Sequence, residues 1–488
     1  MRAEHTTSWI AATLWGAAAI GLPAMAQAAD IPPPIVKAPV SIPAETWTGF
    51  YLSGGIGRGL WSAETFTSDP APFLDALPLV QRHGGSGWLG RIGGGYDYQF
   101  TQRIVAGLFA DFDFSSLKGT VADPRVSLSG EIKQTHSWAI GARAGWLMNP
   151  TLLSYFTAGY TDTRFSSANM GTFSTSVFQG YSTPSFSRGG WFLGGGTETA
   201  LGGGWFGRTE YRYAYYGDQV LADTSATPPA PFFSSIQNIH FKPTVQTVTA
   251  QLVYKLNTPG SAQGWTVPAT ARSTNWTGGY VNGGVGYGLW AADESTTAVP
   301  GAANPPVVVA QRLSGKGWFG RAGVGYDYQF SPRIVGGVFG DFDISSLKGT
   351  IQDAGAGLAG ETKQTWSWAA GGRIGWLIAP DTLSYINVGY TEAHYSGATM
   401  NSMVTAAPFF GLTTPAFTAS GWFSGGGVEA AIAPGLFWRN EYRYAEYGNE
   451  SVTDSSSDPA AGIRNRINFK PRVQTVTTQL VYKFNWGR

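Results

Sequence analysis

The chain has 488 residues, room for two to four ordinary domains, yet only 13% of them are charged while 14% are aromatic and 67 are glycine. Soluble domains carry about 25% charged residues and about 7% glycine, so the composition excludes an ordinary soluble globule. A net charge of +1 without Lys/Arg clusters excludes nucleic acid and polybasic lipid contacts, and the lack of cysteine excludes disulfides, thiolate metal sites and lipid attachment through an N-terminal cysteine.

Taken in chain order, residues 1–28 read as a signal peptide. Arg2 precedes an apolar stretch over residues 9–22, then Pro23, then Ala24, Ala26 and Ala28, which offer A-x-A cleavage after Ala26 or Ala28. Residues 29–46 are a Pro-rich periplasmic tether, too poor in N–H donors to join a sheet. Beyond residue 30 no run approaches the ~20 apolar residues of a membrane helix.

Residues 47–256 alternate with period 2. Ile104, Ala106, Leu108, Ala110, Phe112 and Phe114 fall on one face, and Val105, Gly107, Phe109, Asp111 and Asp113 on the other. The same parity predicts eight strands at about 49–61, 88–99, 103–114, 136–147, 152–165, 190–200, 205–216 and 245–256. Their connections alternate: long Ser/Thr/Pro/Ala-rich loops follow the first, third, fifth and seventh strands, and tight turns follow the second, fourth and sixth. Hydrocarbon offers backbone groups no partner, so strands cross a membrane only in a closed barrel. Long loops on one rim, short turns on the other and an even strand count describe an outer-membrane barrel. Trp138 and Trp146 share the outward face eight residues apart. That is about 26 Å along a strand and about 20 Å after tilt, the spacing of two interfacial girdles.

Projected inward, the parity yields Arg91, Asp97, Asp111, Asp113, Arg143, Glu198, Arg208, Glu210, Arg212 and Lys255, five cations and five anions. An uncompensated buried ion costs several kcal/mol, so a balanced set is expected to pair across the lumen. Eight strands leave an interior just wide enough for side chains, which favours a plug over a selectivity lining. Asp111 and Asp113 could suggest an acid/base dyad, but arginines on facing strands are the simpler partners. His83, His136, His240 and His394 do not recur between the halves and read as solvated rather than catalytic. No cofactor or metal is expected. The glycine runs lie inside strands and read as lumen space and strand coiling.

A linker, residues 257–275, leads to a restatement of the first half over residues 276–488. Residues 88–120 return as 318–350 with 24 of 33 positions identical, and VQTVTAQLVYKLN closes the first copy where VQTVTTQLVYKFN closes the second. The second copy returns the inward charges as Arg321, Asp327, Asp341, Asp343, Arg373, Glu429, Arg439, Glu441, Arg443 and Lys483. The expected fold class is therefore an all-β transmembrane antiparallel β-barrel, as two tandem eight-stranded barrels. The alternative is one sixteen-stranded barrel, which would enclose an aqueous channel.

The segments WTGFYLSGGIG, RIGGGYDYQF, LFADFDFSSLKG, EYRYAYYG and VQTVTAQLVYKLN, with their second-copy versions, resemble the outer-membrane immunogenic protein family of alphaproteobacteria. Those proteins are small eight-stranded barrels related in fold to the OmpA transmembrane domain. The resemblance implies a protein of the bacterial outer membrane, antigenic at its loops and of the porin family by label. Family members usually have one barrel and end on an aromatic residue that the insertion machinery reads. This chain has two copies and runs past Phe484, with Trp486 keeping the outward parity. The expected role is structural and surface-displaying, without catalysis. Its expected partners are outer-membrane lipid, lipopolysaccharide and the insertion machinery. The alternative role is a porin-type diffusion channel for small hydrophilic solutes.

Overall fold

The computed structural model describes residues 47–68, 80–123, 128–172, 180–225, 235–256, 274–298, 310–403, 408–456 and 465–484. The expected signal peptide, the N-terminal tether, most of the linker and Trp486 lie outside the described residues.

The first half contains β1 (Gly49–Ser68), β2 (Gln81–Gln99), β3 (Ile104–Asp123), β4 (Leu128–Asn149), β5 (Leu152–Phe165), β6 (Ala168–Thr172), β7 (Tyr181–Thr183), β8 (Phe186–Gly202), β9 (Trp205–Tyr216), β10 (Gln219–Thr224) and β11 (Ser235–Lys255). Antiparallel pairing runs β1, β2, β3, β4, β5, β8, β9, β11 and returns to β1 through a register from Tyr51↔Lys255 to Ser68↔Asn238. The short β6, β7 and β10 extend this ring at its long-loop end.

The second half contains β12 (Gly278–Ala298), β13 (Ala310–Gln329), β14 (Ile334–Asp353), β15 (Leu358–Ala379), β16 (Thr382–Tyr395), β17 (Ala398–Ser402), β18 (Pro408–Thr414), β19 (Phe417–Ala433), β20 (Leu436–Tyr447), β21 (Glu450–Thr453) and β22 (Asn465–Phe484). It closes in the same way, with β22 returning to β12. Each half is thus a complete eight-stranded barrel, and the sixteen-stranded alternative falls because both rings close on themselves.

Lipid and lumen faces follow the predicted parity. On β3, Leu108 is 68% exposed while its neighbour Phe109 is 8% exposed. Trp138 and Trp146 both face outward. Tight turns such as Gly202, Gly203 and Gly204, all at positive φ where a Cβ would be strained, mark the periplasmic rim. Both ends of each barrel lie on that rim.

The strands are longer than the pattern indicated. β1 runs to Ser68 rather than 61, β2 begins at Gln81 rather than 88, and β11 begins at Ser235 rather than 245. These extensions are at the outer end, where the ring continues beyond the hydrocarbon and neighbouring strands satisfy the backbone. Segments that read as loops from their Ser, Thr and Pro content are paired sheet. β11 even passes through Pro243, at the point where its neighbour changes from β9, last paired at Thr244↔Tyr215, to β10, first paired at Phe241↔Gln219.

Candidate functional site: the charged lumen

All twenty inward charges sit inside the two barrels, in two layers per barrel. The periplasmic layer of the first barrel is built on Arg143, delivered by β4. Its Nε donates to Asp97 Oδ1 at 2.7 Å, its Nη2 donates to Asp97 Oδ2, and its Nη1 donates to Glu198 Oε2 at 2.7 Å. Arg208 Nε shares Glu198 Oε2 at 2.8 Å, and Lys255 Nζ donates to Asp97 Oδ2 at 2.9 Å. The outer layer is built on Arg91, whose fork grips Asp113 at 2.7 and 2.8 Å and reaches Glu210 Oε1 at 2.9 Å. Arg212 binds both Asp111 oxygens at 2.9 and 2.6 Å and shares Glu210. Forked, charge-assisted contacts of this kind are the strongest a side chain makes.

The charge count is balanced across a barrel but not within a layer. The periplasmic layer holds three cations, Arg143, Arg208 and Lys255, against Asp97 and Glu198. The outer layer holds Arg91 and Arg212 against Asp111, Asp113 and Glu210. Tyr155 connects them: its hydroxyl donates to Glu210 Oε2 at 3.1 Å, while the Arg143 guanidinium lies 5.2 Å from its ring centre. The second barrel repeats the arrangement residue for residue. Arg373 with Asp327 and Glu429, Arg439 with Glu429, and Lys483 with Asp327 form its periplasmic layer. Arg321 with Asp343 and Glu441, and Arg443 with Asp341 and Glu441, form its outer layer, joined to the first by Tyr385.

Glycines make room for these side chains. A Cβ at Gly107 would stand 2.3 Å from Asp97 Oδ1, and one at Gly95 would stand 2.7 Å from Tyr51 Oη. A void between the layers of the first barrel, bounded by Tyr51, Asp111, Arg143, Arg208 and Glu210 among others, is about 10 Å³. That is about the least that holds one water.

Aromatic side chains close both ends, and the sequence reading gave them no lumen role. At the periplasmic end Trp47 packs on Phe206 at 5.0 Å and donates its Nε1–H to the Pro150 carbonyl at 3.2 Å. At the outer end Trp61, Phe165, Phe186 and Phe241 form one cluster, with ring centres between 5.2 and 5.9 Å apart along its edges. Trp276 with Phe437, and Trp290 with Tyr395 and Phe469, do the same in the second barrel. Inward parity at matched positions of both copies was the signal that could have found them.

Two of the four histidines depart from their reading as solvated side chains. His83 is buried in β2, with Nδ1 2.7 Å from Thr65 Oγ1. His240 lies on β11, with Nδ1 2.7 Å from an Asp218 oxygen and Nε2 3.0 Å from Ser68 Oγ.

A closed antiparallel ring with a lipid-facing apolar band, aromatic girdles and an ion-paired interior defines a bacterial outer-membrane β-barrel protein. The model of the outer membrane protein beta-barrel domain matches the chain twice, over residues 15–259 and 261–485, and the chain belongs to that family. It is similar to the 31 kDa outer-membrane immunogenic protein of Brucella melitensis biotype 1, with 29% identity over 240 residues covering 47% of this chain and 93% of the relative. It is also similar to the 25 kDa outer-membrane immunogenic protein of Brucella abortus biovar 1, with 31% identity over 221 residues covering 45% of this chain and 85% of the relative. Each relative therefore spans about one of the two barrels. Among solved structures, Neisserial surface protein A aligns with a TM-score of 0.22 and 14% identity over 43% of this chain and 97% of its own. A Pseudomonas aeruginosa FadL homologue aligns with a TM-score of 0.26 and 10% identity over 89% of this chain and 90% of its own.

Proposed function

We propose that this protein is a non-catalytic, non-conducting component of the outer membrane, two plugged barrels that stabilise the envelope and hold their loops at the cell surface. The observation that carries this reading is the filled lumen: two ion-paired layers, a void of about 10 Å³ between them in the first barrel, and aromatic closure at both ends. A diffusion path would have to break forked arginine contacts in both layers, each break leaving a buried charge unpaired at a cost of several kcal/mol. The lumen arginines are bound to carboxylates and face aromatic rings, an arrangement suited to stiffness rather than to acid/base chemistry. In this reading the partners are outer-membrane lipid and lipopolysaccharide around the apolar band, and the insertion machinery acting on the closing strand β22. Residues 1–28 act as the export signal.

Single-channel recording of the refolded chain in a planar bilayer tests the proposal. Protein shown to be inserted is expected to give silence or small irregular steps. Large uniform steps would overturn it in favour of a porin-type diffusion channel for small hydrophilic solutes, and Arg208→Ala or Arg439→Ala would then change ion selectivity.

A further inference from the structure

The outward face of a membrane barrel should be apolar at girdle height and solvated above it. One side of each barrel here is neither. Leu60, Ser62, Leu289, Ala291 and Ser314 all have outward parity and are all fully buried, because the two barrels cover one another.

The contact starts from a defect in both rings. Outward of Gly85↔Gly119, β2 has no further rung with β3, and outward of Gly315↔Gly349, β13 has none with β14. Each strand end thus leaves a free edge whose backbone groups need partners. They find them in each other. His83 and Leu313 form an antiparallel bridge between β2 and β13. Arg82 N donates to Thr350 Oγ1 at 2.8 Å, and Arg312 N donates to Thr120 Oγ1 at 2.9 Å.

These contacts come in exchanged pairs. Arg82 corresponds to Arg312, and Thr120 to Thr350, so the two hydrogen bonds are one contact made twice. His83 corresponds to Leu313, so the bridge joins a position to its own counterpart. At girdle height the Arg58 guanidinium lies 4.4 Å from the Tyr444 ring centre and donates to its hydroxyl at 3.1 Å. The corresponding residues, Tyr287 and Tyr213, meet edge to face at 5.7 Å. Such reciprocity is the mark of an isologous interface about a two-fold axis. Small residues permit the approach. Ser314 Oγ is within hydrogen-bond distance of both the Ser62 hydroxyl (2.8 Å) and the His83 carbonyl (2.7 Å). A Cβ on Gly84 would stand 2.7 Å from Ser314 Cβ. Nearer the periplasm Leu52, Ile56, Val281 and Val285 on the same strands are 41–59% exposed, so the barrels meet only in their outer halves.

We infer that the outer edge of β2, with the adjoining outward face of β1, is a self-complementary docking surface whose partner is a second copy of this repeat, and that it holds the two barrels together without help from the linker. The fused chain is a two-fold dimer made permanent by its linker.

The test uses the full chain, which has no native cysteine, with a protease site placed within residues 257–273. Ser62→Cys with Ser314→Cys is expected to cross-link under mild oxidation, so that cleaved protein runs as one band without reductant and as two with it. A control pair, Leu52→Cys with Val281→Cys, is expected to stay unlinked. In a second arm, cleaved wild-type halves should co-elute in mild detergent, whereas Gly84→Trp should release them with each half still heat-modifiable and strand-rich. Failure of the first pair to cross-link in folded protein, equal linkage of both pairs, or separation of the cleaved wild-type halves would each overturn the inference.

Discussion

Arg143 touches two carboxylates and two aromatic rings at the centre of the periplasmic layer. Replacing it with Met leaves Asp97 and Glu198 short of a partner. Breaking one side of a buried pair costs about 3–5 kcal/mol. Arg143→Met is expected to lower the urea midpoint of the first barrel's transition by a corresponding amount, read by heat-modifiability on gels. Outside the membrane, Asp454 is 1% exposed and lies beside Asp353 and Glu294. Burial, and then Asp353, push its carboxyl up to about 9. The folded protein therefore holds this proton to higher pH than the unfolded chain, whose aspartates titrate near pH ~3.9. The stabilisation is complete below that value and is lost as pH rises through about 9. Thermal melts should show the second barrel more stable at about pH 5 than at about pH 9. Asp454→Asn should flatten that dependence, and an unchanged slope would refute the assignment. The charged residues of the lumen were legible because ions on the inner face of a lipid-facing strand stand out at period 2. Tyr51, Tyr155, Trp47 and Trp61 were not, since an aromatic residue suits either lipid or lumen and only parity separates the two.

At the level of the strand, legibility tracked solvent. Where lipid lies outside and ions lie inside, as along residues 104–114 of β3, the alternation is sharp and the strand could be placed. Beyond the outer girdle the contrast fades: the inner face carries aromatics such as Phe165 and Phe241, and the outer face carries Ser, Thr and Lys. Those stretches read as loop although they are paired, and β11 continues through Pro243 to Ser235. Glycine spacing is equally strict within a strand. Gly107→Val would drive a side chain into Asp97 Oδ1 and the Tyr96 carbonyl, which a Cβ would meet at 2.3 and 2.5 Å. That substitution is expected to prevent closure of the first barrel. The heat-modified band for that half should disappear while the second half, cut at the linker, stays compact.

For the whole molecule, the doubling was plain in the sequence but its geometry was not. Two copies and a linker were equally compatible with barrels that never meet. What joins them is a pair of strand ends that part from their own neighbours, and no periodicity reports a missing rung. Because each ring closes on itself and only small buried clusters run across the contact, the two barrels are expected to unfold as separate cooperative units. Calorimetry of Arg143→Met is therefore expected to resolve two transitions, the lower belonging to the first barrel. A single shifted transition would mean that docking makes the pair melt as one.

The place of the contact also dictates a sequence of events during biogenesis. The first and last strands of each barrel start and finish at the periplasmic rim, at Gly49 and Lys255 in one and Gly278 and Phe484 in the other, whereas the surfaces that recognise each other lie at the far rim. Neither surface exists until its strands have traversed the bilayer, so mating is the final step of maturation and proceeds only between finished barrels. A half stalled midway has nothing to offer its sibling, and the joined pair is thereby a record that both insertions were completed.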